Sequence, residues 1–234
     1  MMRGEAVMQP VRTAEFKTPA VREPGSALTH LIGCLAAVAA TPVLLVHASV
    51  SGADMTSMIG LSVFMMSMIL LYGASTTYHT VDATPRINRI LKKMDHMMIF
   101  VLIAGSYTPV CLTALRGPVG TRLLIMVWGL AAAGMIFKMA WVNCPKWVSS
   151  VIYIGMGWVC LTAMPQLLAA ITSAAFGWLL AGGLIYTVGG VIYAMKFPVF
   201  HDRYPNFGCH ELFHLFVMGG SLCHFIVMYS CLSY

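Results

Sequence analysis

The sequence predicts an all-α, polytopic membrane protein of seven transmembrane helices with its amino terminus in the cytoplasm, and three observations carry that prediction. Of the 234 residues, 59% are hydrophobic and only 9% are charged, where soluble domains carry about 25% charge. Stretches without Asp, Glu, Lys or Arg recur at the length of about 20 helical residues that a bilayer core requires. Once those stretches are threaded back and forth, the basic residues between them fall almost entirely on one side.

Residues 1–22 read as a cytoplasmic tail and 23–234 as the membrane domain. Span one, Ala27 to Val50, and span two, Met55 to Tyr78, contain no charge and are separated by Ser51-Gly52-Ala53-Asp54, a short polar turn suited to antiparallel helices. The first run is longer than a signal-peptide core and follows 26 residues of mixed charge, so it reads as a retained helix. Span three runs from about Asp95 to Leu115 and stops at the breaker Arg116-Gly117-Pro118; span four lies between Arg122 and Lys138.

Between Trp147 and Met195 no acid or base occurs, and at 1.5 Å per residue that stretch is too long for one crossing. Pro165-Gln166 and Thr172-Ser173 are its most polar interruptions, which places span five at about 147–168 and span six at about 175–195. Span seven is Cys209 to Leu232.

Seven crossings put the termini on opposite faces. The amino terminus and the loops after spans two, four and six then hold twelve of the 14 Lys and Arg: Arg3, Arg12, Lys17, Arg22, Arg86, Arg89, Lys92, Lys93, Lys138, Lys146, Lys196 and Arg203. The other face holds Arg116 and Arg122 alone. Cytoplasmic loops carry the excess of Lys and Arg, so Tyr234 is expected outside and the chain in the inner cell membrane.

The formal charge of +6 does not point to nucleic acid, because the basic residues stand in ones and twos between apolar runs instead of forming a patch. The seven cysteines lie mostly inside apolar runs without a C-x-x-C pair, and the odd count argues against a disulfide framework. The 19 methionines suit helix packing.

Function is best sought in His210-Glu211-Leu212-Phe213-His214, where two imidazoles one helical turn apart open span seven. Imidazole is costly in hydrocarbon unless its nitrogens are satisfied, so such a pair marks a metal or proton site. In the threaded topology His79 ends span two, Asp95 begins span three, and His210 and His214 begin span seven, all in one leaflet. His79, His210 and His214 are therefore the candidate ligands of an open zinc site with water in the fourth position. Asp95 is the candidate proton acceptor, and Ser75, one turn before His79, the candidate to hold the water or polarise a carbonyl.

Each residue also has a structural reading, and spacing alone leaves both open. A His at a span end is commonly interfacial, Asp95 is placed to cap span three, and Ser75 to bond back to its own helix. His224 lies about 21 Å beyond His210 on nearly the same face and cannot share its metal. Cys209 points about 100° away from His210, Glu211 points elsewhere, and His30, His47, His96 and His201 have no partner at telling spacing.

Six motifs in order then resemble a known family: Glu23 with Thr29-His30, Ser75-Thr-Thr-Tyr-His79-Thr80, Lys93-Met-Asp95-His96, Gly105-Ser-Tyr-Thr-Pro109, His210-Glu-Leu-Phe-His214 and His224-Phe225. The chain resembles the hemolysin III proteins, the bacterial branch of the progestin and adipoQ receptor superfamily, over about residues 23–234. The resemblance implies seven spans, zinc on His79, His210 and His214, and Asp95 and Ser75 beside the metal water. It also implies kinship with zinc-dependent amide hydrolases of the ceramidase type that act on membrane lipid. One departure stands out: relatives carry Asn four residues before the first-span His, where this chain has Ser26 after Pro24-Gly25.

The sequence thus leads to a zinc-dependent intramembrane hydrolase of lipid amides or esters, or a lipid sensor. The alternative is a non-catalytic membrane regulator in which zinc staples spans two and seven. Ion movement is a third class, set back by the lack of an acidic residue at mid-span.

Overall fold

In a computed structural model, residues 21–195 and 208–232 are described. The tail up to residue 20, Lys196, His201, Arg203 and Tyr234 lie outside the described residues. Helix α1 is Pro24–Val50, α2 Met55–Thr80, α3 Pro85–Leu112 and α4 Pro118–Ala140. A broken fifth span comprises α5, Lys146–Gly157, a 3₁₀ segment, Trp158–Ala163, and α6, Met164–Ala170; α7, Ser173–Met195, and α8, Cys209–Cys231, follow. Among the described residues, seven spans are long and apolar enough to cross a membrane.

The local chemistry of the ends explains their positions. Asp54 caps α2 by accepting from the Ser57 amide at 2.9 Å, and Thr84 accepts from Ile87 ahead of Pro85 in the first turn of α3. Gly117, at φ 103°, makes the left-handed turn that a side chain would resist and hands the chain to Pro118. The third span corrects the sequence boundary: α3 begins ten residues before Asp95. Arg86, Arg89, Lys92 and Lys93 keep a segment out of hydrocarbon but do not oppose helix, so α3 runs on past the apolar stretch.

Packing is inverted relative to a soluble bundle. Along α1 the buried positions are Ser26, Ala27, His30, Gly33, Ala37, Leu44 and Ala48, whereas Leu28, Leu35, Val43 and Val46 face outward. Small residues at helical spacing let spans approach closely where lipid offers no hydrophobic drive. A Cβ on Gly105 of α3 would lie 2.3 Å from the Ser67 hydroxyl oxygen of α2, so these two helices meet at van der Waals distance only because that position is glycine.

The break in the fifth span is one feature the apolar run concealed. Pro165 stands in the first turn of α6, and the chain upstream tightens into 3₁₀ turns. Tyr107 of α3 repairs the freed backbone: its hydroxyl donates to the Gly157 carbonyl at 2.5 Å and accepts from the Cys160 amide at 3.0 Å. Irregular backbone at membrane depth persists where protein groups satisfy it in this way.

Helices α3, α7 and α8 and the broken fifth span enclose an elongated, largely apolar cavity of about 190 Å³. On α3 its wall runs from Asp95 to Val110, about 22 Å of helix. At one end stand His30, His210 and His214; leucines such as Leu115, Leu123 and Leu167 line the other.

Candidate metal centre

Three helix ends meet at the histidine end of the cavity. The last turn of α2 supplies His79, the first turns of α8 supply His210 and His214, and the start of α1 wraps over both. Its chain is pinned there by the Glu23 amide, which donates to the His79 carbonyl at 2.9 Å. One ligand atom from each of His79, His210 and His214 falls within 4.8 Å of the others. His79 and His214 are only 1% and 2% exposed.

The ring orientations follow from hydrogen bonds made by the opposite nitrogens. Nδ1 of His79 donates to the Glu23 carboxylate. Nδ1 of His214 lies 3.0 Å from the Thr29 hydroxyl, which itself donates to the Ser26 carbonyl at 2.9 Å and so accepts from the ring. Both imidazoles are thereby fixed as Nδ1–H tautomers with the Nε2 lone pair free, the arrangement by which outer partners orient metal-binding histidines. Nε2 of His79 then faces Nε2 of His210 at 3.2 Å. Zinc–nitrogen bonds of 2.0–2.1 Å at tetrahedral angles place two ligand nitrogens about 3.4 Å apart, close to the spacing of this pair, and the three histidines together could hold a metal ion.

A carboxylate outside the spans completes this shell. The hydrogen bond from His79 holds the Glu23 carboxyl below its ordinary pKa, helped by the nearby charge of Arg22. On α8, Glu211 accepts from the Gly208 amide at 2.8 Å and from the Ser26 hydroxyl, tying the beginning of α1 to that of α8. The Ser26 hydroxyl thus has the Glu211 carboxylate as its partner.

Asp95 is buried, lines the cavity with His210 and His214, and approaches Nδ1 of His96 at 3.4 Å. That ring nitrogen lies closer to the Lys92 carbonyl, at 2.9 Å. Ser75 is fully buried and its hydroxyl has no hydrogen-bond partner among the described residues. It does not bond back to its own helix, as the structural reading of the sequence expected. His224 is remote from the cluster and packs edge-on against Tyr186.

Sequence reasoning assigned no role to four participants, although Glu23, Thr29 and His30 stood in a motif of the family resemblance and Ser26 as its departure. Glu23, Thr29 and Ser26 precede or begin α1, far from the histidines in sequence, and no spacing rule links them. His30 was set aside as having no partner, yet its ring stacks on His214 with centroids 3.6 Å apart and planes 7° apart. Both of its ring nitrogens are buried without a hydrogen-bond partner among the described residues. The available signals were its location one helical turn from Ser26 and beside Thr29, and its place in the Thr29-His30 motif of the resemblance.

The chain is similar to known proteins over most of its length. The haemolysin-III related family matches residues 19–225. The chain is 37% identical to "Hemolysin-3" of Bacillus cereus over 203 residues, covering 87% of this chain and 88% of that protein. It is 36% identical to the "Hemolysin-3 homolog" of Bacillus subtilis (strain 168) over 212 residues, covering 90% and 95%. A more distant similarity, 23% over 222 residues, is to the "Adiponectin receptor protein" of Drosophila melanogaster, covering 87% of this chain and 49% of the receptor.

Proposed function

This chain belongs to the haemolysin-III related family of seven-span membrane proteins, and from that premise we propose that it is a zinc-dependent hydrolase of lipid amides or esters working inside the bilayer. The observation that carries the reading is the convergence of three imidazoles, those of His79 and His214 buried and tautomerically fixed, with His210 and His214 lining the end of an apolar cavity. Among the described residues the group has three protein ligands and no fourth, the composition of catalytic zinc sites, which keep a position open.

Zinc, when bound, supplies Lewis acidity toward a carbonyl and toward water. The protein does the rest. His79, His210 and His214 hold the ion, with Glu23 and Thr29 keeping the first and third rings in register. Apolar walls of α3, α7 and α8 align an acyl chain along the membrane normal with its carbonyl at the histidine end. Asp95 takes the proton from the attacking water, and the unpartnered Ser75 hydroxyl donates to the developing oxyanion. Among the described residues Arg22, Arg86, Arg89, Lys92, Lys93, Lys138 and Lys146 stand toward the histidine side and only Arg116 and Arg122 toward the other, a bias that supports placing the histidine end in the cytoplasmic leaflet.

The test is metal analysis of the purified protein joined to a screen of membrane lipids for released fatty acid. Zinc is expected at about one per chain and lost when all three histidines become alanine. Turnover is expected to vanish in Asp95→Ala while zinc stays bound. Fatty-acid release that persists undiminished in both Asp95→Ala and His79→Ala overturns catalysis. Zinc without any release favours the regulator, for which the cross-helix position of the ligands on α2 and α8 is the supporting observation.

A further inference from the structure

At the same end of the bundle, but outside the histidine cluster, three reactive side chains close a buried triangle. Lys138, in the last turn of α4, is 1% exposed. Its ammonium nitrogen lies 2.6 Å from the Ser149 hydroxyl and 3.1 Å from the Cys144 sulfur, and that sulfur lies 3.2 Å from the same hydroxyl. Cys144 sits in the short link between α4 and α5, and Ser149 in the first turn of α5. Among the described residues no carboxylate pairs with Lys138.

A buried cation without a counter-ion is expensive. Ser149 bonds to both Lys138 and Cys144 and holds nitrogen and sulfur on one side. An amine and a thiol are both nucleophiles, so the chemistry that joins them covalently at this contact distance is oxidation. The span between them is short enough for one oxygen atom to bridge. Dioxygen is small and apolar and reaches such a buried position through hydrocarbon, where larger polar reagents do not.

We propose that Lys138 and Cys144 form a reversible redox crosslink, an Nζ–O–Sγ bridge made with dioxygen, that locks the α4–α5 connection. One S–H and one N–H bond break, and the O=O bond is cleaved. One oxygen enters the bridge and the other leaves as water with the two hydrogens. Sulfur and nitrogen each give up two electrons, and dioxygen accepts four. Reduction by four thiol equivalents restores thiol, amine and water. The neighbouring Ser150 lines the cavity, so the crosslink stiffens one wall of that space when the membrane is oxidised.

The experiment uses the intact protein in detergent, equilibrated with oxygen-saturated or oxygen-free buffer and cleaved at methionine with cyanogen bromide. Cleavage after Met135, Met139 and Met156 separates fragment 136–139, holding Lys138, from fragment 140–156, holding Cys144. The expected result is a joined species after oxygenation, heavier than the sum of the two fragments by one oxygen less two hydrogens. It is lost on treatment with dithiothreitol before cleavage, lost in Cys144→Ser, and kept in Cys160→Ser. Complete separation of the fragments after oxygenation overturns the proposal, as does Cys144 carrying two or three oxygens with Lys138 free. Because the readout is a covalent mass in the wild-type chain, it stands apart from metal content and lipid turnover.

Discussion

The carboxylate of Glu23, the residue immediately before the first membrane helix, accepts a hydrogen bond from Nδ1 of His79 at the end of the second. This single contact turns Nε2 of His79 toward Nε2 of His210 and makes a residue distant in sequence part of the shell around the candidate metal centre.

Glu23→Gln keeps the size of that side chain but removes its charge. Outer-shell partners of metal-bound histidines are worth about 10–100-fold in metal affinity, and a loss of that size is expected. Zinc titration against a competing chelator measures it, with circular dichroism to confirm that helix content is unchanged. Affinity equal to the parent protein would remove Glu23 from the metal shell.

Tyr107→Phe deletes the hydroxyl that serves the Gly157 carbonyl and the Cys160 amide in the broken fifth span. Orphaning buried backbone groups costs about 1–3 kcal/mol, so the thermal midpoint in detergent should fall. The 3₁₀ segment is the expected locus, and amide exchange across Trp158–Ala163 should accelerate before that of α2 or α3.

Gly105→Ala places a methyl group 2.3 Å from the Ser67 hydroxyl oxygen and 2.6 Å from its Cβ. Overpacking of this kind costs about 1–3 kcal/mol. Gly129→Ala is the matched control, because a Cβ there meets nothing within 4 Å. It should be neutral or slightly stabilising, as alanine is the better helix former. Equal melting behaviour of the two variants would contradict the close α2–α3 approach.

At the opposite end of the bundle Asp54 pairs with Arg116 at 2.7 Å, joining the α1–α2 turn to the α3–α4 turn. The Arg116 hydrogen bond, followed by those of Ser57, holds the Asp54 carboxyl well below the usual carboxylate range. A depressed folded-state pKa contributes stability at pH values above the ordinary Asp value of about 3.9, and that contribution is lost as pH falls below it. Both groups are exposed to solvent, so the effect is small and salt-sensitive. Carboxyl chemical shifts should show Asp54 still ionised where an ordinary Asp has protonated, and Arg116→Gln should return it to the ordinary value.

Much of the fold was legible in the chain because the bilayer is a severe solvent. Charge-free runs, the Arg116-Gly117-Pro118 breaker and the Thr172-Ser173 interruption each report where helix must leave hydrocarbon, and the observed spans stop at those points. The beginning of α3 was not legible from the same signal. Arg86 through Lys93 are barred from lipid but remain good helix formers, so charge marks the edge of the membrane and not the end of the helix. The 3₁₀ break also escaped notice, since what makes it tolerable is the Tyr107 hydroxyl on another helix.

The site divides along the same line. His210 and His214 announce themselves because a helical repeat puts residues four apart on one face, and His79 and Asp95 could be matched to them by depth alone. Tertiary structure alone decided that the three imidazoles converge, that Glu23 and Thr29 set their tautomers, and that His30 stacks against His214. The physical reason is range. Helix periodicity and the cost of charge in hydrocarbon act between near neighbours or along the membrane normal, and both can be read from a linear chain. A hydrogen bond between the start of α1 and the end of α2 depends on lateral packing of whole helices, which is set by the shape of every face at once.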